Sequence, residues 1–112
     1  MFEKLGQWAG LLQQLPRVRA EVEQLRERLA QHIAEGDAGG GMVKVRVNGK
    51  FEVLRISLSD EAFRAGDREM LEDLIRAATN QALKRVGEHV AAETSKVASS
   101  FGLPSGFGFG PG

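Results

Sequence analysis

Apolar residues recur every seven positions through the first third of the chain, at Trp8, Leu15, Val22 and Leu29, with Leu11, Val18 and Leu25 three residues after the first three. That spacing sets one stripe along a helix and predicts a seam of the coiled-coil kind. Arg19, Glu21, Arg26 and Arg28 flank it as a charged edge. His32 stands where the next apolar residue is due, so the seam ends there. Pro16 lacks a backbone donor and its ring meets the carbonyl of Leu12, which predicts a kink or break, with residues 17–32 the firmer half.

The period then changes. Gly36-Asp-Ala-Gly-Gly-Gly41 cannot hold a helix and favours turns with positive φ. Val43, Val45 and Val47 next alternate with Lys44 and Arg46, a strand signal, and Asn48-Gly49 is the dipeptide best suited to a two-residue type I′ hairpin turn. Such a turn pairs Val47 with Lys50, Val45 with Glu52 and Val43 with Leu54. Alternation places Val43, Val45, Val47, Leu54, Ile56 and Leu58 on one face, and Lys44, Arg46, Phe51, Val53 and Arg55 on the other.

A single acidic turn at Ser59–Arg64 ends at Gly66, and Asp67 can cap a second long helix with Glu69 in its first turn. Leu71, Ile75, Ala78, Ala82, Val86, Val90, Val97 and Phe101 keep close to helical spacing. Gly87 costs this helix about 1 kcal/mol relative to alanine, which predicts a close backbone contact. Residues 99–112, SSFGLPSGFGFGPG, are too rich in Gly and Pro to bury a core and are expected to form a disordered tail beyond a single domain spanning 1–98. A helix of about 30 residues runs roughly 45 Å. Strands of about seven residues run roughly 23 Å. The helical stripes overrun the sheet, and a second copy is the simplest cover, with Val18, Val22, Leu25 and Leu29 the expected dimer interface.

Composition narrows the chemistry. There is no cysteine, hence no disulfide, thiolate metal site or cysteine nucleophile, in keeping with the cytoplasm. No stretch approaches the roughly 20 apolar residues of a membrane span. The 15 basic and 15 acidic residues cancel, but they are segregated: +3 over Met42–Leu58, −4 over Asp60–Ile75 and +2 over Arg76–Lys96. His32 and His89 have no metal-like spacing and read as structural. Gly49-Lys50 lacks the rest of a phosphate loop, and the acids from Asp67 to Asp73 open a helix whose dipole they stabilise. Asn80 is either a buried interhelical hydrogen-bonding group or simply exposed. No set of nucleophile, base and oxyanion donor can be assembled, so neither catalysis nor a small-molecule substrate, metal or cofactor is expected.

Three stretches, Gly36–Gly49, Asp67–Ile75 and Ala77–Lys84, together with Leu103–Phe107, resemble in order and spacing the YbaB/EbfC family of bacterial nucleoid-associated proteins. The resemblance covers most of the chain from about residue 20. It implies an α+β subunit of long helix, three-stranded antiparallel sheet and long helix, intertwined in a tweezer-like homodimer that binds double-stranded DNA with little sequence preference. It also implies a first strand near Ile33–Asp37. Lys44, Arg46 and Arg55 then become candidate phosphate contacts, against the alternative of an ordinary solvated sheet face. Arg26, Arg28, Lys84 and Arg85 are equally candidate phosphate contacts and helical edge charges. A protein adaptor with no direct DNA binding is the alternative function.

Overall fold

The computed structural model describes the backbone of residues 2–102 and the side chains of 15–102. Helix α1 (Phe2–Gln31) leads to strands β1 (Ile33–Ala38), β2 (Val43–Asn48) and β3 (Val53–Leu58), then to a short α2 (Asp60–Arg64) and a long α3 (Arg68–Ser100). The strands form one antiparallel sheet in the order β1-β2-β3, an α+β subunit. Of the expected tail 99–112, Ser99 and Ser100 instead complete α3 and Phe101 caps it, because the helical pattern runs on to Phe101; residues 103–112 and the seam side chains Trp8 and Leu11 lie outside the described residues.

Helix α1 continues through Pro16, where the sequence predicts a kink or break, so the chain does not break there. A proline removes one hydrogen bond from the ladder, and at an exposed position water can satisfy the freed carbonyl. The helix stops where His32 N–H is shared between the carbonyls of Arg28 and Leu29, at 3.1 and 3.2 Å.

The valine alternation builds the core. Val43, Val45 and Val47 are fully buried beneath Ala78, Ala82 and Val86 of α3, whose small side chains bring the helix close to the sheet. At Gly36 the approach is closest: a Cβ there would lie 2.1 Å from Ala78 O and 2.5 Å from Ala82 N. Gly36 is thus a strand residue under a helix, and the turn the glycines predict is confined to Gly39, Gly40 and Gly41, all at positive φ.

The hairpin lies where Asn48-Gly49 places it, but its geometry differs. Neither residue has positive φ; Phe51 does, at 60°. Phe51 N–H donates to Asn48 O at 2.9 Å and Asn48 N–H to Glu52 O at 3.1 Å, so Gly49, Lys50 and Phe51 form a three-residue loop. Asn48 Oδ1 accepts from the N–H groups of Lys50 (2.9 Å) and Glu52 (3.2 Å), which holds the longer loop. Gly49 serves another purpose: its N–H donates to Leu29 O of α1 at 2.8 Å, and a Cβ would sit 2.4 Å from that oxygen. The extra loop residue and a bulge between Arg46 and Val47 move the register, so that Val43 faces Leu58, Val45 faces Ile56 and Val47 faces Val53. Ile56 and Leu58 keep the predicted face, while Val53 leaves the basic one.

Ser59 Oγ and Asp67 Oδ1 cap α2 and α3, accepting from Ala62 and Met70 N–H at 3.0 Å each. Leu25 and Leu29 are buried, and the rings of His32 and His89 stack 3.5 Å apart, seating the end of α1 on α3. The close backbone contact expected at Gly87 is absent; a Cβ there would meet only the Phe51 ring, at an ordinary 3.9 Å. The radius of gyration, 19.8 Å, far exceeds the about 13 Å of a compact chain of 100 residues.

Candidate nucleic-acid interface

The alternation that buries the β2 valines turns Lys44 and Arg46 to the opposite side, and the pairing of neighbouring strands makes cross-sheet rows there. Glu35, Arg46 and Arg55 form one row; Asp37, Lys44 and Ser57 form the next. Arg46 Nε donates to Glu35 Oε2 at 3.1 Å. Glu35, Lys44, Arg46, Arg55 and Ser57 line an open cleft of about 330 Å³. Arg46 and Arg55 stand directly opposite each other, an arrangement that like charges disfavour unless an anion lies between or beside them. Phe51, which alternation assigns to this face, is not part of it: the three-residue loop turns its ring against Gly87 of α3 instead.

None of the helical bases lines this cleft. Arg26 pairs with Glu23 at 3.6 Å, Arg28 lies in the last turn of α1, and Lys84 is exposed on α3. Arg85 is committed elsewhere: its Nη1 donates to the backbone carbonyl of Glu35 at 2.6 Å. One turn away, Gln81 Oε1 accepts from Asp37 N–H at 2.7 Å. These two side chains occupy the outer edge of β1. Sequence reasoning missed Glu35, Ser57 and Gln81, because their neighbours follow from strand register, which periodicity does not supply.

Of the residues expected at a dimer interface, Leu25 and Leu29 are already buried within the chain, and Val18 and Val22 border a groove with Thr94, Val97 and Phe101. Helix α3 packs principally on β1 and β2. The apolar side of β3 is therefore open: Val53, Ile56 and Leu58 are 47%, 47% and 40% exposed, as are Leu54 at the bulge (49%) and Phe63 of α2 (76%). Asn80 is exposed. A hydrogen bond from Lys96 holds the Glu93 carboxyl below the usual carboxylate range; desolvation opposes it, and the charges of Lys96, His89 and Arg28 add to the lowering. Among the described residues no cluster of three His, Asp or Glu suits a metal, and no helix is long and apolar enough to cross a membrane.

Comparison with known proteins agrees with this architecture. A nucleoid-associated protein of Caldanaerobacter subterraneus is 38% identical over 98 residues, 88% of each chain. One from Methylococcus capsulatus is 37% identical over 99 residues, 88% of this chain and 92% of its own. The crystal structure of an uncharacterized Helicobacter pylori protein superposes with a TM-score of 0.57 at 31% identity, over 67% of this chain and 87% of that one. Residues 4–101 match the model of the YbaB/EbfC DNA-binding family, and the chain belongs to that family.

Proposed function

We propose that this protein binds double-stranded DNA as a homodimer in the cytoplasmic nucleoid, with little sequence preference and without catalysis. The observation that carries the reading is the convergence of Lys44, Arg46 and Arg55 on one outer sheet face, in a family of DNA-binding proteins. Basic side chains on an exposed strand face contact phosphates and displace counterions, and phosphates are the same at every sequence. The zero net charge keeps long-range attraction weak, so affinity depends on this local patch. A second copy supplies the cover that Val53, Ile56 and Leu58 lack, and it doubles the number of phosphate contacts.

Retardation of a plain duplex over a salt series tests the reading, with sedimentation reporting the mass of each variant. Lys44→Ala, Arg46→Ala and Arg55→Ala combined should weaken binding equally on unrelated sequences and flatten the log-log salt slope by up to about 0.9 per lost contact. The fourfold variant of Arg26, Arg28, Lys84 and Arg85 to Ala should bind nearly as wild type does. Normal binding by the sheet variant together with failure of the helical one moves the site to the helices. Absence of any retardation at low salt refutes DNA binding. A wild-type mass of one chain at micromolar concentration refutes the dimer.

A further inference from the structure

The outer sheet face carries its own competitor for phosphate. Arg46 occupies the middle of a three-residue row, with Glu35 on one side and Arg55 on the other. Its Nε donates to the Glu35 carboxylate at 3.1 Å, whereas among the described residues neither Arg55 nor Lys44 has a carboxylate within ion-pair distance. Asp37, although directly opposite Lys44, makes no ion pair with it among these residues.

Glu35 is also held in place from behind. Its backbone carbonyl accepts from Arg85, its neighbour Gly36 is pressed against the backbone of α3, and Asp37 N–H is bonded to Gln81. The strand that presents the carboxylate is fixed on two sides, so the carboxylate stays beside Arg46. The two paired side chains remain roughly half-exposed, 56% and 41%, and a pair in that setting is weak enough to open.

We infer that Glu35 is an internal counterion that competes with DNA phosphate for Arg46, so that this carboxylate sets the affinity of the face. Lys44 and Arg55 receive phosphate directly; Arg46 joins them by exchanging Glu35 for a phosphate oxygen. The inference rests on the DNA-binding reading above and assigns a role to a residue outside the basic set.

Binding of the full-length protein to a plain duplex at low salt tests it, using Glu35→Gln, Arg46→Ala, the double variant and Asp37→Asn. Glu35→Gln should bind about 2–5-fold more tightly than wild type, the range set by the worth of an exposed ion pair. Its salt slope should steepen by up to about 0.9. In the Arg46→Ala background the gain should vanish. Asp37→Asn removes the same charge one row away and should gain less than half as much on a logarithmic scale. The inference fails if Glu35→Gln binds no more tightly, if Asp37→Asn gains equally, or if the gain persists without Arg46. Any of these, with wild type binding and the sheet triple variant not, overturns this role alone. A wild type that does not retard duplex overturns both readings. Unchanged thermal melting of Glu35→Gln confirms that binding is being compared between equally folded proteins.

Discussion

Replacing Gly36 with alanine adds one methyl group where the chain has least room. The new Cβ would stand 2.1 Å from Ala78 O, 2.5 Å from Ala82 N and 3.1 Å from Ala82 Cα, all backbone atoms of a helix and none able to swing aside. To restore ordinary contact, α3 must retreat from β1 by about 1.3 Å. A gap of about 0.5–1 Å already forfeits a quarter to a half of each dispersion contact, and those at risk belong to the fully buried Val43, Val45, Val47, Ala78, Ala82 and Val86. The cost belongs at the upper end of overpacking, about 3 kcal/mol. For a domain of this size it lowers Tm by roughly 12–20 °C. Thermal and urea unfolding followed by circular dichroism, at one protein concentration, measures it. Gly40→Ala is the control: its Cβ meets nothing, but φ is +66°, so only backbone strain of about 1 kcal/mol applies. A Gly36→Ala protein as stable as Gly40→Ala would refute the close-approach argument.

Two further substitutions examine the loop and the end of α3. Asn48→Ala should destabilise by about 1–2 kcal/mol, since it removes the two hydrogen bonds that Asn48 Oδ1 accepts from the N–H groups of the exposed Lys50 and Glu52; faster amide exchange confined to residues 50–52 identifies the cause, and unchanged exchange there refutes it. Because the folded protein holds Glu93 below its ordinary pKa, chiefly through the Lys96 hydrogen bond, the stabilisation is present above the ordinary carboxylate range and is lost as pH falls through the folded value. Glu93→Gln should therefore differ from wild type at neutral pH and converge with it on acidification, as unfolding midpoints between pH 7 and 3 would show; divergence in acid would refute it.

The parts of the fold that periodicity reveals are those with a single environment along their length. The three β2 valines alternate cleanly because one face is core and the other water, and Asp67 caps α3 as its residue type suggests. The register was hidden because Asn48-Gly49 has two uses for its small, flexible backbone. The common use, a tight turn with positive φ, gave way to a side-chain-braced loop at Asn48 and a helix contact at Gly49. Strand β1, IAEGDA, carries a central glycine and few strand formers; only the resemblance located it, since the reason for Gly36 is the helix above it. The site was half legible for the same reason. Lys44, Arg46 and Arg55 follow from alternation, but Glu35 joins them only once β1 is in register.

The side chains that occupy the outer edge of β1 also govern how this sheet meets other sheets. Every sheet edge offers unpaired N–H and C=O groups as a template for another chain. Here Gln81 and Arg85 fill the positions on β1 that an added strand would use, whereas β3 pairs only with β2. A body with two open edges can be extended at both and grows into a filament; a body with one can join a single like body, after which neither has an edge left. Two side chains on one helix thus leave the two edges of the sheet unequal: any strand added at β1 must first displace Gln81 and Arg85, whereas one added at β3 displaces neither.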